Sequence, residues 1–271
     1  MIWIFRIFYV LLIENKFIMR VTDKKYLPEY LKLIGNKIPD WINNFDFSES
    51  SRGFDYLTKA SAVYSSNIEG NSIDLNSFMN YKLNTEKSKT GKEIEEIENL
   101  IKAYEYAQKN SLTETNLLTC HKILSETLLI KSKRGKYRIE KVGVFGKLGM
   151  AYLSIEPEFV NKEMKLFFEG ILELLKNSMT KAEVFYFASL IHLIFVHIHP
   201  FRDGNGRVAR LLEKWFISEK LGYDYWKIPS EEYYKENQKK YYETLNIGVN
   251  FYELNYDKCL GFLEMLPNCL K

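Results

Sequence analysis

Cysteine, histidine and proline are all scarce in this chain, at three, four and six among 271 residues. The cysteines (Cys120, Cys259 and Cys269) are odd in number, have no metal-ligand spacing and share no cluster with the histidines. That pattern argues against a disulfide framework and against structural zinc, and it leads us to expect a reducing, cytoplasmic compartment. An excess of one charge is also missing. Lys and Arg total 38 against 35 acidic residues, a net charge of +3, and no basic block is present. Direct nucleic-acid binding is therefore not expected. No repeat, low-complexity tract or Pro/Gly/Ser-rich linker interrupts the chain. The apolar run from Met1 to Ile13 falls short of the ~20 residues that span a bilayer. Arg6 breaks it, and it has neither a basic n-region nor a small-residue cleavage site. Stable membrane insertion is not expected, and residues 1–18 read as a non-native or flexible extension, with Met19 as the expected first residue of the native product.

Helical periodicity dominates the rest. Amphipathic stretches run from Lys24 to Ile38, from Phe54 to Ile68 and from Asp74 to Leu83. Lys92 to Lys109 reads as a long surface helix, and Thr113 as the N-cap of the next, with Leu117, Leu118, His121, Leu124 and Leu128 inward. From Lys131 the glycines Gly135, Gly143, Gly146 and Gly149 alternate with Val142, Val144 and Phe145, which is hairpin composition. Helix returns at Glu158–Lys176 and at Thr180–Ile198, the second apolar enough to run through the core. Further helices are expected over Val208–Leu221, Ser230 to about Leu245, and Asn250–Leu266. The fold class is all-α, mainly helical, with one β-hairpin.

The densest chemistry lies in His199-Pro-Phe-Arg-Asp-Gly-Asn-Gly-Arg-Val-Ala-Arg210. Pro200 disfavours helix at His199 and leaves the imidazole at a helix end. Gly204 and Gly206 allow a sharp turn whose N–H groups can cradle an anion, beside the positive end of a following helix. Arg207 and Arg210, at i and i+3, share one face of that helix. Asp203 is a hard oxygen ligand suited to Mg²⁺ on phosphates. Each residue alone has an ordinary reading as a helix end, a turn or a solvated face. Their density favours phosphate chemistry.

The stretch resembles the signature of the Fic family, His-x-Phe-x-(Asp/Glu)-Gly-Asn-Gly-Arg-x-x-Arg, at every specified position. The resemblance implies a Fic fold over roughly residues 90 to 250: a helical bundle whose hairpin flap precedes the helix-loop-helix of the motif. It implies a protein adenylyltransferase that moves AMP from ATP, with Mg²⁺, to a hydroxyl side chain of a target protein. His199 would be the general base, Asp203 the metal ligand, Gly204, Asn205 and Gly206 the anion hole, and Arg207 and Arg210 the phosphate clamps. Val144, Phe145, Gly146 and Lys147 would form the flap that aligns the target. Tyr241 and Tyr242 match a pair that borders the adenine in the family, although two tyrosines there are more often core. His192 reads as a satisfied core histidine.

Upstream, Ser65-Ser-Asn-Ile-Glu69-Gly70 resembles the family's inhibitory signature, with Gly70 a fitting residue just past a helix end. By that resemblance Glu69 would occupy Arg210 and leave ATP unproductively bound. The expected organisation is a helical region over 19–89 carrying this element, then a core with C-terminal helices over 90–271. The implied partners are a target protein, the chain itself as a substrate, and a second copy in a homodimer. The family also holds members that transfer UMP or phosphocholine and members that remove AMP. A nucleotide-binding scaffold without catalysis is the alternative of another class.

Overall fold

The computed structural model describes residues 19–47, 53–83, 91–146 and 149–271, and the fold is helical with one short hairpin. Residues 1–18, where the extension was expected, and Lys147 of the expected flap lie outside the described residues. At the centre is α8, written here in a numbering that also places α1 at Leu27–Leu33, α2 at Ile38–Asn44, α3 at Gly53–Ile68, α4 at Leu75–Leu83, α5 at Lys92–Gln108, α6 at Glu114–Leu124 and α7 at Pro157–Lys176. α8 itself is Lys181–Ile198, and α9 (Asn205–Leu221), α10 (Ser230–Glu236), α11 (Gln238–Leu245), α12 (Leu260–Leu263) and α13 (Met265–Asn268) follow.

α8 is apolar all round, and nearly every residue from Ala182 to Ile198 is buried. It is long and apolar enough to cross a membrane, but its apolar surface is enclosed by the other helices. Thr180 and Glu183 close a capping box at its start: Glu183 N–H donates to Thr180 Oγ1, and Thr180 N–H donates to the Glu183 carboxylate. α9 packs against α8 across the motif loop, burying Val208, Leu211, Leu212, Trp215 and Phe216. α7 covers α8 with a stripe at helical spacing, Val160, Met164, Phe167, Ile171 and Leu174. The hairpin pairs β1 (Gly143–Gly146) with β2 (Gly149–Leu153) antiparallel.

Several helices differ from the periodicity reading. The expected Lys24–Ile38 helix breaks at Gly35, whose backbone lies so close to Leu31 that a Cβ would collide with that side chain. α5 is not a surface helix, because Glu96, Ile97, Leu100, Ile101, Ala103, Tyr104 and Ala107 are all buried between α3 and α6. The single helix expected over 250–266 is replaced by short turns. Asn250 accepts from Tyr252 and Glu253 N–H, and Asn255 accepts from Asp257 N–H, so local side-chain bonds compete with α-helix. The Ser230–Leu245 stretch divides at Asn237 into α10 and α11.

The capping box gives a direct test of how α8 is held. Thr180→Ala should lower stability by about 1 kcal/mol. Glu183→Ala should cost less than that on top of it, because the two bonds form one unit. Urea denaturation of the two single variants and the double variant measures this.

Candidate active site

The site is built where α8 stops. His199 adopts φ 53° and ψ 57°, and it is the only non-glycine residue with positive φ among the described residues. A left-handed residue of this kind costs of order 1–3 kcal/mol and persists only where its surroundings enforce it. Pro200 ends the helix, and Arg138 enforces the turn. Its Nε donates to the His199 carbonyl at 2.7 Å and its Nη2 to the Ile155 carbonyl at 2.6 Å, with a longer contact to Ile198. Arg138 N–H donates to Pro200 C=O. A buried guanidinium thus closes the carbonyl-rich end of α8, where a cation is electrostatically favoured.

His199 Nδ1 lies 3.2 Å from the Val196 carbonyl. A carbonyl only accepts, so Nδ1 carries the proton and Nε2 keeps its lone pair. Burial pushes the His199 pKa down from 6.5 to about 4, against a partial offset from the Val196 bond. The ring is half-buried and ready to accept a proton at neutral pH.

The loop that follows is braced from both sides. Phe201 N–H donates to Asn205 Oδ1 and Asn205 Nδ2 donates to Phe201 C=O, each at 2.9 Å. The Asn205 side chain is therefore committed to the loop, which leaves its backbone N–H as the group it could offer an anion. His121, on α6, stacks on Phe201 with ring centroids 3.6 Å apart and planes 4° apart. Its Nδ1 accepts from Gly135 N–H, so its Nε2–H donates to Asp203 C=O. Sequence reading placed His121 inward but missed that it ties the Gly135 turn to the motif loop. Gly204, at φ 83°, begins α9, and Asp203 Oδ1 accepts its N–H.

Arg210 is fully buried on the first turns of α9. Its Nε donates to Ser65 Oγ and its Nη2 to Ser65 C=O, both at 2.9 Å. Nη2 also meets Glu69 Oε1 at 2.8 Å, and Nη1 meets Tyr241 Oη at 3.1 Å. Tyr241 Oη in turn contacts His192 Nε2, and His192 Nδ1 contacts Glu213, so His192 is a satisfied core residue. Tyr241 is buried against Arg210. Tyr242 is half exposed, and its hydroxyl donates to Ile68 C=O. Of the expected flap, Val144, Phe145 and Gly146 lie in β1, with Val144 partly exposed.

Glu69 closes the site. α3 ends in a Schellman motif, with Asn71 N–H donating to Ser66 C=O and Gly70 N–H to Asn67 C=O, Gly70 having φ 99°. This turn delivers the Glu69 carboxylate onto Gly206, where a Cβ would lie 2.2 Å from Glu69 Oε1. The carboxylate thus occupies the N-terminal end of α9, the place where an anion would bind. Burial opposes its ionisation, but the charges of Arg210 and Arg207 and the Arg210 hydrogen bond hold its carboxyl below the ordinary value. Arg207 is also engaged: Nε and Nη2 both meet Glu96 Oε1, at 3.1 and 2.5 Å. Glu96 was missed in the sequence, although a charge on the apolar stripe of Glu96, Leu100, Ala103 and Ala107 was there to be read. Among the described residues no cluster of three or more His, Cys, Asp or Glu side chains is arranged to hold a metal. A cation here would rest on the exposed Asp203 carboxylate and on oxygens of a bound phosphate, a donor set that suits Mg²⁺.

The pKa depressions make stability depend on pH with a definite sign. Burial pushes His121, His197 and His199 each from 6.5 to about 4. A histidine held neutral in the fold contributes stability that is full above pH 6.5 and is lost as pH falls toward 4. Between those limits stability should fall by about 1.4 kcal/mol per pH unit for each fully buried ring, His121 and His197, and by less for half-buried His199. His197→Asn should flatten the slope by about one proton. Denaturant titrations between pH 6.5 and 4.8 would show it, and a pH-independent midpoint would refute it.

The chain is similar to proteins of one family. Residues 111–217 match the Fic/DOC family. A protein adenylyltransferase Fic of Nematostella vectensis is 28% identical over 216 residues, covering 76% of this chain and 46% of the relative. One from Culex quinquefasciatus is 30% identical, covering 76% of this chain and 39% of the relative. The chain thus spans under half the length of these curated relatives. A Fic family protein from Desulfovibrio desulfuricans superposes with a TM-score of 0.70 at 22% identity, covering 90% of this chain and 73% of the other. Fic-1 from C. elegans does so at 0.63 and 18%, covering 90% and 71%.

Proposed function

For a chain that carries a Fic/DOC family domain, we propose protein adenylylation, held back by its own Glu69. The observation that carries this reading is the seating of a carboxylate on Gly206 and Arg210, at the N-terminus of α9. In the proposed reaction His199 Nε2 accepts the proton of a Ser, Thr or Tyr hydroxyl on a target protein, or on this chain itself. The hydroxyl oxygen forms a bond to the α-phosphorus of ATP as the bond to the bridging oxygen breaks, and pyrophosphate leaves. Backbone N–H groups of Asn205 and Gly206 and the two arginines would hold the phosphates and spread the developing charge. Mg²⁺ on Asp203 would neutralise charge between the phosphoryl groups. The hairpin of β1 and β2 would offer the edge of β1 to an extended target segment.

Glu69 competes with a phosphate for the same donors. A charge-assisted hydrogen bond in such a place is worth about 1.5–3 kcal/mol, so Glu69→Gly should raise incorporation of label roughly 10- to 100-fold. Arg210→Ala in that background should reverse the gain, and His199→Ala should abolish transfer while ATP binding persists. Glu173→Ala, an exposed acid on α7, serves as the neutral control. The measurement is incubation with α-labelled ATP and lysate, followed by identification of the labelled band and residue. If the Glu69→Gly protein binds ATP but labels nothing, itself included, the transferase reading gives way to a nucleotide-binding scaffold. Label from UTP in place of ATP would redirect the reading to another transferred group.

A further inference from the structure

Both motif arginines face a carboxylate, but the two carboxylates are mounted differently. Glu69 follows the last turn of α3, in a turn that Gly70 opens, and 26% of its side chain is exposed. Glu96 sits in the first half of α5, and its side chain is 11% exposed. α5 is wedged between α3 and α6 and also touches α9, and Ile97, Leu100, Ile101 and Tyr104 along it are buried. Glu69 is carried on a single turn at a helix end, whereas Glu96 is carried on a helix packed into the core.

We propose that Glu96 is a positioning residue for Arg207, a permanent anchor and not a second brake; this rests on the transferase reading above. Glu96 Oε1 takes both Nε and Nη2, so the pairing is side-on and fixes the guanidinium plane as well as its position. Nη1 makes no hydrogen bond among the described residues and is directed away from Glu96, available to a phosphate oxygen. An arginine without this anchor would have to be ordered by the nucleotide itself. The pairing also compensates a guanidinium that α9 carries into a nearly water-free position, where an uncompensated charge would be costly.

The test is equilibrium binding in the Glu69→Gly background, with a non-hydrolysable ATP analogue and with adenosine as separate probes. Glu96→Ala should weaken the ATP analogue about tenfold, the size expected when binding must order a rotamer-rich side chain, and leave adenosine affinity unchanged. Glu96→Asp keeps the charge and the core pair but is one methylene short, so it should fold and still lose about as much affinity for the analogue. Glu96→Gln restores the length and an acceptor oxygen, and should recover most of it. A purely structural role would lower the melting temperature and weaken both probes together, and that result overturns the proposal. So would unchanged affinity for the analogue in Glu96→Asp, or tighter binding on removal of Glu96 with Glu69 intact, which is the behaviour of a brake. If the Glu69→Gly protein binds neither probe, the transferase reading falls, and this inference with it.

Discussion

A buried guanidinium needs acceptors, and the arrangement of this site follows from how Arg210 finds them. Its hydrogen bonds go to Ser65 and Glu69 at the end of α3 and to Tyr241 on α11, two segments far apart in the chain. Each of these bonds replaces hydration that the buried guanidinium has given up. The docking of α3 and α11 onto α9 is therefore enforced electrostatically as well as by packing. The chain of contacts continues from Tyr241 to His192, Glu213 and Tyr234, all buried. The α3 terminus is held from the same side. Lys235 donates to Asn67 C=O, and Gln238 and Tyr242 both donate to Ile68 C=O, so carbonyls left open by the end of the helix are satisfied by α10 and α11.

Helix ends do the chemical work in this fold. Glu69 lies at the C-terminal end of α3, where the helix dipole disfavours a carboxylate, and at the N-terminal end of α9, where the dipole favours one. Local preference and tertiary setting oppose each other, and the tertiary setting prevails because Arg210 and Arg207 add to it. The same logic in reverse sets His199. The end of α8 gathers carbonyls, Arg138 collects them, and the histidine that caps the helix is forced into a left-handed turn with its Nδ1 proton committed to Val196.

The motif from His199 to Arg210 was legible because each of its residue types answers a local need: proline to stop a helix, glycine to start the next one left-handed, arginines one turn apart. Helix existence was legible for the same reason, since 3.6-residue periodicity is a local signal. Glu96 and His121 were not recognised, because what makes them functional is their partner, more than eighty residues away in each case. A buried polar side chain on an apolar stripe marks a partner without identifying it. Tyr241 shows the converse. A pair of tyrosines can be placed by resemblance, but only packing shows that Tyr241 meets Arg210 while half-exposed Tyr242 meets the end of α3.

One contact, Glu69 with Arg210, thus carries both stability and inhibition in the proposed cycle. A brake that also stabilises the fold is released at the expense of the structure around it, unless other contacts keep the arginine in place. Here they do. With Glu69 withdrawn, Arg210 still has two bonds to Ser65 and one to Tyr241, while Nη2 gains a vacant donor direction facing the N-terminus of α9. Most of the orientation of the guanidinium is therefore independent of the carboxylate that masks it. Release would leave behind a preorganised donor, which favours an anion without first having to be ordered. Arg207 meets the same need in another way, through an anchor that stays in place. The two arginines stand one turn apart on the same helix: Arg210 shares its bonds among a carboxylate on a turn, Ser65 and Tyr241, and Arg207 gives its bonds to one carboxylate on a core helix.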